Sequence, residues 1–230
     1  MKDDRPSEAS ATRPTEAPPA IPSAYEALIR SSRVSPHLRA ALLERAEPLD
    51  PATRPRSLDA RHLDVLRAAL DSVIPQGPGA SIDLAARLDT MMAEATGNGW
   101  RYEALPSDPD AYRVGLETLD DLALEREGRG LADLPRPARD ALLQAIADGA
   151  AGMDGRSDRF TAAQMVLWFE ELRSDAVRHY VAHPATMARI GYSGIANGGA
   201  GGAAFTGFSA VGIGRREDWE PRALVEGAAS

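Results

Sequence analysis

The feature that most constrains the fold is a succession of amphipathic segments, most of which end at a proline or a glycine. Between Leu58 and Pro75 the apolar side chains recur at intervals of three and four residues, which places them on one face of an α-helix. Four further segments with this spacing end near Gly97, Gly128, Gly149 and Pro184. Runs of alternating β-branched residues are nearly absent, so the pattern predicts an all-α fold, an irregular multi-helix bundle.

Individual helix ends are predicted from capping residues. A first short helix is predicted from Ser23, and a second has Ser35 as its N-cap and Pro36 at its first helical position. Ser81 is the predicted cap of a helix farther along the chain. The longest and most apolar helix, which starts near residue 160, is predicted to end at Pro184.

The composition divides the chain into three parts. Residues 1–24 are rich in Pro, Ala, Ser, Thr and charge, which predicts a disordered tail. Residues 25–190 carry the helical pattern and form the predicted domain. Residues 191–230 begin with a glycine-rich stretch that no long helix can hold, so we expect an extended, partner-wrapping segment and a C-terminal tail.

Charge and residue usage exclude several classes of protein. The net charge is -8, from 34 acidic and 26 basic residues, which argues against a nucleic-acid partner. The absence of cysteine rules out disulfides and thiolate metal sites. No apolar run approaches the roughly 20 residues that span a bilayer, so we expect no direct membrane insertion. No apolar run follows the first basic residues, so a cytoplasmic location is predicted, with export in complex with a partner as the alternative.

Two histidines raise the alternative of a stand-alone metal-dependent enzyme. His179 and His183 are four residues apart, the spacing that places two imidazoles on one helical face. Tyr180 stands where a zinc protease has its general base, and a third ligand would have to come from elsewhere, for example Glu171. We favour a protonated His183 that interacts with the helix dipole, and predict no metal ligand and no catalytic residue.

Two other patterns are interpreted as non-functional. The run GAGGAA at residues 199–204 matches a dinucleotide-binding fingerprint formally, but it lacks the strand and helix that this site requires, so no cofactor is predicted in this chain. Neighbouring carboxylates are interpreted as a solvated helix face: Glu117, Asp120, Asp121, Glu170 and Glu171.

Aromatic residues are concentrated late in the chain, since eight of the twelve follow residue 159. Those in the glycine-rich segment lie on no periodic element, and linkers without function rarely carry them. Aromatic side chains are common anchors of protein interfaces. We therefore predict a partner-binding segment with contacts from Trp168, Tyr192, Phe205, Phe208 and Trp219, of which Trp168 is also a candidate core residue.

The order of these motifs resembles a known family. DSVIPQGPGA lies between two amphipathic helices, YRVGLETLDDLA precedes GRGLADLPRPARDALLQAI, and FTAAQMVLWFEELRSDAVRHYVAHP leads to IGYSG. From about Leu58 to Gly194 the chain resembles the gluconate 2-dehydrogenase subunit 3 family.

The resemblance implies a non-catalytic small subunit. In that family a large flavoprotein of the glucose-methanol-choline (GMC) type carries FAD and oxidises a sugar or alcohol, and a cytochrome c subunit often accepts the electrons. The small subunit binds and stabilises the flavoprotein and, in many members, assists its export. Besides the metal-dependent enzyme, the alternative is a helical regulatory or interaction protein.

Overall fold

Eight α-helices account for the fold of the residues that the computed structural model describes, which are 18–54, 56–77, 80–97, 99, 102–198 and 208–224. Within these ranges there is one 3-10 turn, Leu131–Asp133, and no strand, so the all-α prediction is confirmed. The helices are α1 (Ser23–Arg30), α2 (Pro36–Ala46), α3 (Ala60–Val73), α4 (Leu84–Ala93), α5 (Asp110–Glu127), α6 (Arg136–Ala147), α7 (Ala162–Val181) and α8 (Pro184–Ile190). Residues 1–17 of the predicted tail lie outside the described residues.

Side-chain caps fix where several helices begin. The Ser35 hydroxyl accepts a hydrogen bond from the Leu38 amide at the start of α2, as the sequence predicts. The prediction of Ser81 as a cap is wrong, because the Asp83 carboxylate accepts from the Ala86 amide at 3.0 Å and so starts α4 two residues later.

Pro184 begins a helix as well as following one. α7 ends at Val181, and Pro184 occupies the first position of α8, where a proline loses no helical hydrogen bond. His183 is the N-cap of α8, and its Nδ1 accepts from the Ala185 amide at 3.2 Å. The chain therefore turns at residues 182–183 and continues as a second, short helix.

The main cluster of buried apolar side chains lies between α3, α4, α5, α6 and α7. Trp168 of α7 is fully buried in it and makes an edge-on contact with Tyr112, with ring centroids 6.3 Å apart. The Trp168 ring occupies the space that a side chain at Gly115 would fill, because a Cβ built there would lie 2.2 Å from Trp168 Cε2. The close approach of α5 and α7 thus requires glycine at this position.

Two buried carboxylates hold loops against the main cluster. Asp89, on α4, accepts from the amides of Ser57 and Leu58 at 2.8 Å each and pairs with the buried guanidinium of Arg54. Asp120, on α5, accepts from the Leu131 amide at 2.8 Å and pairs with Arg61. These groups satisfy loop amides that would otherwise have no partner away from water.

A small cluster joins the two ends of the described chain. Its buried members come from α1, α2 and the turn between them, and from α8 and the residues just after it: Tyr25, Leu28, Ile29, Val34, Leu42, Ala188 and Ile195. The Tyr25 hydroxyl donates to the Tyr192 carbonyl at 2.8 Å, and the Gly198 amide donates to the Arg33 carbonyl at 2.7 Å. Residues 191–198 therefore pack on the first two helices.

Gly115→Ala tests the contact between α5 and α7. An exposed glycine in a helix gains about 1 kcal/mol of stability on mutation to alanine. Here we expect the free energy of unfolding to fall by about 1–3 kcal/mol, because the methyl group must displace Trp168. Urea unfolding at pH 7 measures the change. Gly77→Ala is the control, since a Cβ there meets nothing within 4 Å, and an increase in stability for Gly115→Ala would contradict the contact.

Asp89→Asn tests the buried ion pair. The change leaves the Arg54 guanidinium buried without its counter-charge, and we expect a loss of about 3 kcal/mol in the free energy of unfolding. Asp64→Asn is the matched control, because Asp64 is exposed and its pairing distance to Arg67 is 3.6 Å. Equal unfolding midpoints for the two variants in urea would show that the Asp89 pair is not stabilising.

Candidate partner interface

Exposed apolar side chains are concentrated at the C-terminal end of the described chain. Of the nine large apolar side chains exposed among the described residues, only Leu124 precedes residue 177. We refer to the other eight together as the C-terminal apolar surface: Val177, Val181, Ile190, Tyr192, Phe208, Val211, Ile213 and Leu224.

The last turns of α7 supply the first part of this surface. The helix buries Trp168, Leu172 and Ala176 on one side. Val177 and Val181, one turn apart, share a different side and are 49% and 41% exposed. Tyr180 on α7 and Arg189 on α8 contact each other, with the guanidinium over the ring at 5.5 Å from its centroid. That contact links the end of α7 to α8.

A chain crossing at Gly191 brings the C-terminal segment onto α8. The Leu224 amide donates to the Arg189 carbonyl at 2.9 Å, and Arg216 donates to the Gly191 carbonyl at 3.3 Å. A Cβ at Gly191, whose φ is +66°, would lie 2.5 Å from the Ala223 nitrogen. Glycine is thus required both by the left-handed backbone and by the close approach, which places Leu224 beside Ile190.

Aromatic and polar contacts hold the segment from residue 208 to 220. Phe208 and Trp219 are stacked with centroids 5.7 Å apart, and the Arg33 guanidinium lies 4.6 Å from the centroid of the Trp219 ring. The Glu217 carboxylate accepts from the amides of Ala210 and Ser209, and these hydrogen bonds lower its pKa. Contacts within the chain therefore hold residues 208–220 in place.

The predicted contact residues have different outcomes. Tyr192 and Phe208 are exposed, and Trp219 is half-buried against the small cluster. Trp168 is fully buried, so its prediction as a contact residue is wrong, because the face of α7 that bears it packs on α5. Phe205 lies outside the described residues, as does the GAGGAA run.

Residues on both sides of the predicted boundary between a helical domain and a wrapping segment pack on the small cluster. Residues 191–198 contribute Ile195 and Ala196 to the buried side chains, and Trp219 packs on the small cluster. As predicted, the described aromatics of this segment lie on no helix or strand; Phe208 and Trp219 are held by stacking on each other and by the Arg33 guanidinium.

The two histidines line a cleft between α2, α4, α7 and α8. We call it the arginine cleft; its volume is about 340 Å³, and its charged and titratable members are Arg45, Arg87, Glu94, Arg178, His179 and His183. Burial and the neighbouring arginines lower the pKa of His179 to about 4. Burial, then Arg87, lowers the pKa of His183 to about 4.

His183 is therefore neutral at pH 7 and caps α8, and the prediction of a cation at the end of α7 is wrong. Its Nδ1 accepts a hydrogen bond from the Ala185 amide, which requires that this nitrogen carry no proton. His179 Nε2 lies 3.4 Å from Met91 Sδ. Glu171 lines a different cavity and accepts from the Tyr102 amide at 3.2 Å. Among the described residues no group of three metal-ligating side chains occurs.

The carboxylates interpreted as a solvated face are mostly paired. Asp120 is buried, and Glu117 and Asp121 both pair with Arg159, at 3.0 and 2.8 Å. Glu170 accepts from the Tyr102 hydroxyl at 2.7 Å. Their role is to join helices and loops.

The arginine cleft itself has no local sequence signal, because Arg45 and Arg87 come from helices far from α7 in the chain.

Residues 60–199 match the family described as gluconate 2-dehydrogenase subunit 3. The match spans more than half of the chain, and the chain belongs to this family. No curated protein and no solved structure matches the chain. Within the described ranges, every helix is too short or too polar to cross a membrane.

The histidines predict how stability depends on pH. Their pKa values are lower in the folded protein than in the unfolded chain, so the unfolded chain binds more protons between about pH 6.5 and pH 4. The contribution of the two histidines to the free energy of unfolding is fully present above pH 6.5 and decreases as the pH falls through this range. When the pH is lowered from 7 to 5, we expect each histidine to decrease the free energy of unfolding by about 2 kcal/mol.

His183→Asn isolates one of the two contributions. Asparagine retains a capping oxygen for α8 but does not titrate. Urea unfolding of both proteins at pH 7 and pH 5 measures the difference, and the variant is expected to lose about 2 kcal/mol less than the wild type. Parallel losses in the two proteins would show that His183 does not resist protonation.

Proposed function

We propose that this member of the gluconate 2-dehydrogenase subunit 3 family is a non-catalytic small subunit that binds and stabilises a large FAD-dependent dehydrogenase of the GMC type. The C-terminal apolar surface is its contact site. FAD and the oxidation of a sugar or alcohol belong to the partner, and a cytochrome c subunit is a further candidate member of the complex.

The observation that carries this proposal is the concentration of exposed apolar side chains on one part of the chain. Eight of the nine exposed large apolar side chains of the described residues lie between Val177 and Leu224. Exposed apolar groups gathered in this way are typical of protein interaction sites. Because the family is named as a subunit of a dehydrogenase, the partner that we expect on this surface is the larger subunit of the same complex.

The character of the surface fits a stable complex. Tyr192 and Phe208 provide rigid aromatic contact area, and Val177, Val181 and Ile190 provide aliphatic area on two joined helices. The surface is held in place by hydrogen bonds and packing within the chain, so little ordering is required on binding. We expect a permanent interface of this kind to bury about 2,000 Å² or more.

The two alternative functions lack comparable support. A metal-dependent enzyme using His179 and His183 would need further ligands, and His183 already uses Nδ1 to cap α8. A regulatory protein that binds nucleic acid would need a basic surface, and the chain carries a net charge of -8. A cytoplasmic location, or export together with the dehydrogenase, stays a prediction.

Co-expression with a GMC-type flavoprotein from the same genome tests the proposal. We expect the two chains to purify together at fixed stoichiometry, with FAD content and alcohol or sugar oxidation higher in the pair than in the flavoprotein alone. A folded monomer of this chain that leaves the flavoprotein's yield and activity unchanged would refute the accessory role.

Val181→Arg tests the location of the interface. We expect the dissociation constant of the complex to rise at least tenfold, because the charged group must be desolvated against the partner. Leu124→Arg on α5 is the matched control, since the two side chains are 41% and 43% exposed and both changes add one positive charge. Binding measured by calorimetry and unfolding in urea are compared for both variants. Equal affinities would place the interface elsewhere, and equal stabilities would exclude misfolding as the cause.

A further inference from the structure

The arginine cleft combines three guanidinium groups with a buried histidine. Arg45 lies at the end of α2, Arg87 on α4 and Arg178 near the end of α7, and together they line one cleft of about 340 Å³. The only acidic side chain among the lining residues is Glu94, and it is exposed. In a chain with a net charge of -8, this is a local concentration of positive charge.

His183 presents an unpaired donor in the cleft. The residue is 1% exposed, and its Nδ1 accepts the Ala185 amide. The neutral ring therefore carries its proton on Nε2. No described residue offers an acceptor to that buried Nε2. A buried donor without an acceptor is destabilising, which points to an acceptor that comes from outside the chain.

Two of the guanidinium groups have no ion-pair partner among the described residues, although the Asp83 carboxylate lies close enough to attract Arg87. Arg87 donates through Nη2 to the Arg45 and Glu47 carbonyls, at 2.8 and 3.2 Å, and both acceptors are neutral. No ion pair to Arg45 or Arg87 occurs among the described residues, whereas Arg178 pairs with Asp175 at 2.9 Å. The electropositive surroundings also contribute to the low pKa of both cleft histidines.

We propose that the arginine cleft is a binding site for a carboxylate, with the Nε2–H of His183 and the guanidinium groups of Arg45 and Arg87 as its donors. Guanidinium groups match the planar carboxylate with parallel hydrogen bonds. A dianion such as phosphate fits less well, because Glu94 lines the cleft and repels a second negative charge more strongly. The carboxylate belongs to a free organic acid or to an acidic side chain of a bound subunit.

The test uses sodium acetate as the probe and the four histidines as reporters. The full chain, labelled with ¹⁵N-histidine, is titrated with acetate at constant ionic strength, with chloride as the replaced anion. We expect saturable shifts of the His183 and His179 ring signals and none at His37, which lies exposed on α2 outside the cleft. An absence of saturable shifts would overturn the proposal, whatever the outcome for the partner complex.

Two variants separate a built site from general attraction of anions. Arg45→Gln and Arg87→Gln are each expected to raise the dissociation constant of acetate about tenfold. Arg136→Gln is the control, because it removes the same charge from α6, outside the cleft. Arg45 is exposed, so its variant is expected to fold even if the Arg87 variant is unstable. Equal weakening by Arg45→Gln and Arg136→Gln would overturn the site.

A second arm distinguishes the two sources of the carboxylate. The titration is repeated on the complex with the large subunit. If a side chain of that subunit occupies the cleft, the His183 signal is already shifted without acetate and no longer responds to it. If the ligand is a free acid, acetate still shifts the signal in the complex. The first arm needs no partner, so failure of this site and failure of the accessory role are distinguishable.

Discussion

The contact between Gly115 and Trp168 is the constraint on which the rest of the structure depends. The indole occupies the space of a missing side chain, so α5 and α7 approach more closely than any other residue at position 115 would permit. Tyr112 then packs edge-on against the same ring, and its hydroxyl donates to Asp175 at 2.8 Å. These contacts fix the position of α7 and its rotation about its own axis. That rotation decides which residues of the last turns face outward and which face the arginine cleft.

The small cluster converts the C-terminal segment from a tether into part of the folded domain. Tyr25 and Arg33, near the start of the described chain, hold residues 192 and 198 through hydrogen bonds. A surface fixed in this way loses less conformational freedom when a partner binds than a flexible tail would lose. It also means that removal of all residues after Pro184 would expose the cores of α1 and α2. Loss of binding after such a truncation would therefore report unfolding as much as a lost contact.

The sequence predicts the helices well because their apolar spacing and their stops are local properties. Ser35 and Gly128 act as predicted, at the start of α2 and the end of α5. The role of Pro184 depends on whether the chain after it can form another turn, and the pattern of α7 alone does not contain that information. Trp168 fits both a core and a contact prediction until the close approach of α5 is known. The arginine cleft joins residues 45, 87 and 178, and only the tertiary fold brings them together.

The last two turns of α7 serve both proposed sites through different sides of one helix. Successive residues are rotated by about 100°, so Val177 and Val181 share a side, His179 points to the opposite side, and Arg178 lies between the two. The C-terminal apolar surface and the arginine cleft therefore share a backbone but no side chain. Substitutions at Val181 and at Arg45 act on different sites, and each leaves the main cluster intact. A partner that covers the apolar surface lies within one helical turn of the cleft, which makes an acidic side chain of that partner a physically reasonable source of the carboxylate.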